Sequence, residues 1–85
     1  MKTTKIYTED KRVNKAINFF INKLAERLLG VGVEVSPDSF YYIDDYICEI
    51  RFEVYDPFTN ETECVHSRWC LSKDARRRPQ FLTFC

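Results

Sequence analysis

Cys64, His66 and Cys70 lie within seven positions of the stretch ECVHSRWC (residues 63–70). Thiols beside an imidazole are zinc ligands, or the two halves of a thiol nucleophile. Zinc needs ligands converging to about 2.0–2.3 Å from one point. The stretch instead reads as a β-strand, with Val65, Trp69 and Leu71 on one side and Cys64, His66, Arg68 and Cys70 on the other. At about 3.3 Å per residue, the Cα atoms of Cys64 and Cys70 stand roughly 20 Å apart. Cys64 and His66 could share an ion only with two further ligands. The expected register turns Cys48 to the opposite face, Cys85 is the last residue given, and no C-x-x-C knuckle is present. His66 is the only histidine, and no glycine-rich oxyanion loop accompanies it. The expectation is a strand face of polar and thiol side chains, with no metal site and no catalytic residue.

Asp44 and Asp45 form a carboxylate pair, with Asp38 and Asp56 in nearby loops. Paired carboxylates can hold Mg²⁺ or act as acid and base. Neighbouring strand residues point to opposite faces, so this pair converges only in a turn, and a turn or charged edge is the expected role. With two glycines in the chain there is no phosphate-cradling loop. No cofactor is expected, and the chain is not expected to be an enzyme.

Net charge is zero but unevenly spread. Residues 1–33 carry seven Lys/Arg and three Asp/Glu, residues 34–63 one Arg and nine Asp/Glu, and residues 64–85 five Lys/Arg and one Asp. Two binding surfaces follow. Arg76, Arg77 and Arg78, with Lys73 and Arg68, form the densest positive group, and Arg12, Lys15 and Lys23 add charge on the outer helix face around Phe19. Such clusters attract nucleic-acid backbones, and an aromatic among them can stack on a base. No RNA-recognition signature or GXXG loop accompanies them. The acidic block contains Asp44, Asp45, Glu49, Glu53 and Asp56, interleaved with Tyr41, Tyr42, Tyr46 and Tyr55. Carboxylates among tyrosines suit a basic protein groove. Internal compensation, basic helix and tail against acidic sheet, is the other reading of the same pattern.

The elements that position these residues are those of one small domain covering 1–85. An apolar share of 45% and an aromatic share of 15% suffice for one modest core. Lys5 to Tyr7 could be a short strand or an arm. Thr8 is the expected N-cap of a helix running to Leu29. Val13, Ala16, Ile17, Phe20, Ile21, Leu24 and Leu28 form its apolar stripe, and Gly30 lies just past its end. Val31 to Val35 suggests a short strand, Ser36 to Asp38 a turn, and Phe40 to Ile43 a further strand. Cys48, Ile50, Phe52 and Val54 alternate with charges. A loop at 56–61 returns the chain as the strand through Trp69. Pairing Phe52 with Val65 sets Cys48 opposite Trp69, Glu49 opposite Arg68 and Arg51 opposite His66. A two-residue slip would set Arg51 against Arg68. Ser72 could cap a short helix through Arg77, and Phe81 to Phe84 could form an edge strand. The fold class is α+β: one long amphipathic helix on a three- to four-stranded antiparallel sheet. Its expected core is Ile17, Phe20, Leu24, Leu28, Ile50, Phe52, Val54, Val65, Trp69 and Leu71.

The N-terminal MKTTKIYTEDKRVN has no apolar run ahead of its charges, which argues against a secretory signal. No span of about 20 uncharged residues exists to cross a membrane. The expected location is the cytoplasm, where four cysteines behave as small hydrophobes.

MKTTKIYTEDKRVNKAINFF followed by tyrosine-rich acidic strands is similar to many small phage-encoded proteins. One helix on a small antiparallel sheet, without a catalytic motif, resembles several anti-CRISPR and other host-takeover inhibitors. The resemblance covers size, element order and charge style. It implies a stoichiometric, non-enzymatic inhibitor, monomeric or homodimeric, in the host cytoplasm. Its implied partner is a host protein or ribonucleoprotein complex that handles nucleic acid. The protein-binding residues are expected among Asp44, Asp45, Glu49, Glu53, Asp56, Tyr42, Tyr46 and Phe19. The alternative is direct RNA or DNA binding through the arginine cluster and outer helix face.

Overall fold

The computed structural model describes residues 9–73 and 77–85. A helix is followed by a four-stranded antiparallel sheet in which every strand neighbours the next in sequence. The helix has three parts: α1 (Lys11–Phe19), a π-helical turn (Phe20–Leu24) and α2 (Ala25–Leu29). The strands are β1 (Glu34–Tyr42), β2 (Ile47–Asp56), β3 (Glu61–Cys70) and β4 (Gln80–Phe84).

The helix begins at Asp10, whose Oδ1 accepts the Arg12 backbone N–H at 2.9 Å and satisfies one of the unpaired amides of the first turn. Thr8, the expected cap, and the Lys5 to Tyr7 arm lie outside the described residues. The π turn changes what the helix buries. The Ala25 N–H donates to the carbonyl of Phe20, five residues back instead of four. One extra residue per turn rotates everything after it by about 100°. The buried line therefore runs Val13, Ala16, Ile17, Phe20 and then Ala25, with Leu29 partly buried beyond it. Leu28, expected in the core, is 47% exposed. Gly30 closes the helix at φ 118°, a conformation that favours glycine.

The β2–β3 hairpin has the register set by its apolar faces and charges. Phe52 pairs with Val65, Cys48 with Trp69, Glu49 with Arg68 and Arg51 with His66. Cys48, Ile50, Phe52, Val54 and Trp69 enter the core, with Val65 partly buried against it. Phe20 is the hub: it stacks on Phe52 at 4.3 Å between centroids and meets Trp69 edge-on at 6.3 Å. Ser67 is the polar exception at 0% exposure. Its Oγ accepts the Trp69 indole N–H at 2.8 Å and donates to the Ile50 carbonyl at 2.9 Å. The indole N–H is thus satisfied without water.

Two sequence readings change along β1. The expected short strand, turn and second strand are one strand, and Ser36 to Asp38 is a bulge within it. The ladder runs Pro37 opposite Phe52 and then Ser39 opposite Arg51, leaving Asp38 as the extra residue. Proline is tolerated because β1 is an edge strand, where one side of the backbone needs no ladder partner. The chain is already extended at Glu34 and not at Val31. At the other edge, β4 pairs with β3 from Ser67 to Cys70, with Phe81 opposite Trp69. The helix expected from Ser72 to Arg77 includes Asp74, Ala75 and Arg76, outside the described residues, and Lys73 and Arg77 are bends. No helix of the described residues is long and apolar enough to cross a membrane.

Candidate functional site

The acidic block of the sequence separates into three places. β2 is ten residues long, so its ends stand roughly 30 Å apart. Asp44, Asp45, Tyr42 and Tyr46 lie at one end, Glu49 and Glu53 along the helix-free sheet face, and Asp56 at the other end.

At the first end the polar groups build the turn. Asp44 Oδ1 accepts the backbone N–H groups of Tyr46 and Ile47, both at 2.8 Å, and so turns the chain from β1 into β2. Arg12 reaches across from the helix start. It pairs with Asp10 at 3.0 Å and donates to the carbonyls of Asp45 and Ser72, each at 3.3 Å. Tyr42 donates its hydroxyl to Asp10 at 2.8 Å, and the Lys73 ammonium stands 5.7 Å from the centre of the Tyr46 ring. Hydrogen bonding and charge from Arg12 hold the Asp10 carboxyl down at about 2. Burial, then the bond to Asp10, pushes the Tyr42 hydroxyl up to about 12. Asp10 and Arg12 are occupied with each other, and the Asp44 carboxylate with backbone amides.

On the helix-free face Glu49 is enclosed at 6% exposure. Tyr41 donates its hydroxyl to it from β1, Arg68 Nε donates at 2.9 Å from β3, and the Cys85 thiol lies at 3.4 Å. The Tyr41 hydrogen bond, then Arg68, holds the Glu49 carboxyl at about 2. Arg51 beside it bridges three strands: its Nε stands 3.3 Å from Asp38 in the β1 bulge, and its terminal nitrogen donates to Cys64 Sγ at 3.2 Å. β3 is continuous across Glu61–Cys70, so Cys64, His66 and Cys70 are spread along it. Among the described residues no three His, Cys, Asp or Glu side chains are grouped as metal ligands.

The hairpin end differs. Asp56 pairs directly with Glu61, Val54 with Glu63 and Ser36 with Glu53, while Glu34 opens β1 opposite Tyr55. No cation stands within ion-pair distance of Glu53, Asp56, Glu61 or Glu63 among the described residues. Like charges facing each other across a ladder cost stability. An apolar group stands between Asp56 and Glu61: Phe58 is 84% exposed at the loop tip. The Phe58 ring lies over Gly32, where a Cβ would come within 3.0 Å of it. Asp56 Oδ1 accepts the Phe58 backbone N–H at 2.9 Å, and Tyr55 donates to Asn60 at 2.7 Å, so the tip is held in shape. The sequence reading included Glu53 and Asp56 in the binding set but not Glu61, Glu63 or Phe58. The hairpin register unites Asp56, Glu61 and Glu63 on the helix side of the sheet, whereas alternation places Glu53, paired with Cys64, on the helix-free face with Arg51.

The cations of the alternative surface are likewise divided. Arg12 and Arg68 are paired as described. Arg78 covers the Phe19 ring at 5.1 Å, and that ring rests edge-on against Trp69 at 6.3 Å. Phe19 is therefore partly buried against the core and not centred on an outer helix face. Lys15, Lys23 and Arg77 are exposed, and Arg76 lies outside the described residues.

In comparisons with protein-family models, curated proteins and solved structures, none matched this chain.

Proposed function

We propose that the protein is a non-enzymatic binding protein that engages a basic surface on another macromolecule through its acidic hairpin end. The observation that carries this reading is the group Asp56, Glu61 and Glu63, which has no ion-pair partner among the described residues and flanks an exposed phenylalanine. The fold keeps like charges adjacent at a cost in stability, as expected of a surface shaped for a partner. An aromatic anchor ringed by charge matches the anatomy of protein interfaces, where aromatics supply area and the rim supplies steering. The partner class in keeping with this chemistry is a host nucleic-acid-handling enzyme or ribonucleoprotein complex, whose phosphate-binding groove offers the basic counterpart. Inhibition of the anti-CRISPR type, in the cytoplasm of an infected cell, is the biological form of the proposal. Asp44, Asp45 and Glu49 support the fold in this reading, because each carries a structural contact or sits beside one.

The test is affinity capture from host lysate, with and without nuclease, using the parent chain and a Glu61→Lys/Glu63→Lys variant. A protein retained after nuclease and lost with the variant supports the proposal. Capture that disappears with nuclease, or that the variant leaves intact, overturns it in favour of the basic surface.

A further inference from the structure

The two edges of the sheet are treated differently. β1 is interrupted by Pro37, which has no N–H to offer, and by the bulge at Asp38. The β3 edge over Glu61–Val65 has neither proline nor bulge and carries only the charges of Glu61 and Glu63. β4 covers β3 from Ser67 to Cys70, and the Cys85 N–H donates to the His66 carbonyl at 2.8 Å. Beyond that bond no described residue pairs with Glu61–Val65 on this side. Peptide groups alternate in direction along a strand. Because His66 faces β4, the N–H and C=O groups of Thr62 and Cys64 face the same way, outward along the open edge.

The edge also has matching side-chain positions. A cleft of about 180 Å³ lies where β4 would extend, lined by Leu29, Cys64, Val65, His66, Phe84 and Cys85. On the helix side of the sheet, a smaller hollow of about 130 Å³ lies between Val33, Val54 and Asp56 on one side and Glu61, Glu63 and Val65 on the other. Val65, Glu63 and Glu61 share one face of β3, so an added strand would meet one apolar and then two acidic positions at alternate residues.

We infer that the Glu61–Val65 edge of β3 accepts an extended basic segment of a partner protein as a fifth strand, antiparallel to β3 and in line with β4. This rests on the protein-binding reading above and specifies how the partner attaches. The strand carries an apolar residue opposite Val65, seated by Leu29 and Phe84, and Lys or Arg opposite Glu63 and Glu61. Its recognition pattern is apolar–x–basic–x–basic, with the two x residues exchanging backbone hydrogen bonds with Cys64 and Thr62. A second copy of this chain is disfavoured as occupant, because edge-to-edge pairing would bring two sets of Glu61 and Glu63 together.

The probe is a fluorescein-labelled peptide, Leu-Thr-Lys-Thr-Lys-Thr, titrated with the intact protein by anisotropy. Three comparisons accompany it: the same peptide with Glu for Lys, the same peptide N-methylated at the first two threonines, and the Cys64→Pro protein. Saturable binding is expected, weakened by about tenfold or more in each comparison, the loss of a few hydrogen bonds or ion pairs. The N-methylated peptide tests the edge without altering the protein, so it decides the matter even if Cys64→Pro fails to fold. No binding by the parent peptide, or equal binding by the Glu or N-methylated peptide, overturns the inference. If a captured partner survives Cys64→Pro but is lost with Glu61→Lys/Glu63→Lys, the acidic-surface reading stands and the added strand does not.

Discussion

Ser67→Ala removes a single oxygen from the centre of the core, and its cost can be worked from the contacts. Ser67 and Trp69 are both 0% exposed. The Trp69 indole N–H loses its acceptor at 2.8 Å, and a buried orphan donor costs about 1–3 kcal/mol. The Ile50 carbonyl loses the serine hydroxyl as a donor. The space left, about one atom, is too small for a replacement water. A total of about 2–3 kcal/mol is expected, roughly a 10–20 °C fall in melting temperature for a domain of this size. Urea unfolding followed by far-UV circular dichroism measures it without using the tryptophan signal. A double-mutant cycle with Trp69→Phe isolates the pair. Once the indole N–H is absent, Ser67→Ala should cost less by about 1 kcal/mol. A single-variant loss below about 0.5 kcal/mol, together with no coupling in the cycle, would refute the satisfied-donor argument.

The π turn predicts an inversion of the expected helix face: Leu28→Ala should cost under about 1 kcal/mol, whereas Ala25→Glu, which buries a charge, should unfold much of the population in the same urea assay. Glu49 is held at about 2, below its ordinary 4.5, so its stabilising contribution is present above pH 4.5 and is lost as pH falls toward 2. Urea midpoints at pH 5 and pH 2.5 should therefore converge more in Glu49→Gln than in the parent, and an identical drop in both proteins would contradict the assignment. Burial raises the Cys48 thiol to about 11 and leaves it 0% exposed, so a thiol reagent should label Cys64 and Cys85 in the native protein and Cys48 only on unfolding, as read by peptide mass mapping.

The hairpin was legible because two independent patterns agreed. Apolar alternation fixed which faces coincide, and the Glu49–Arg68 pairing chose between registers two residues apart. The turn role of Asp44 followed from residue type, since a short carboxylate satisfies nearby backbone amides. The π turn was not legible. An ideal 3.6-residue period places Leu28 on the stripe, and only packing of Phe20 against Phe52 and Trp69 shows where one extra residue enters. Ser36 to Asp38 looked like a turn because proline and aspartate usually punctuate. On an edge strand the same residues make a bulge instead. Phe19 was misplaced for a related reason: helical phase sets it outside, but Arg78 and Trp69 close over it. The acidic site was half legible. Sequence order joins Asp44 to Glu63 in one block, whereas antiparallel pairing divides the block by the length of β2, brings Asp56, Glu61 and Glu63 together, and turns Glu53 to the other face.

The most direct measurement compares two charge reversals against one captured partner by biolayer interferometry. The first is Glu61→Lys/Glu63→Lys at the hairpin end, and the second is Lys15→Glu/Lys23→Glu/Arg77→Glu on the exposed cations. Loss of binding with the first, and change within about twofold with the second, is the result expected if the acidic end is the contact surface. Retained binding with the first and loss with the second would contradict that claim and assign the interaction to the basic surface.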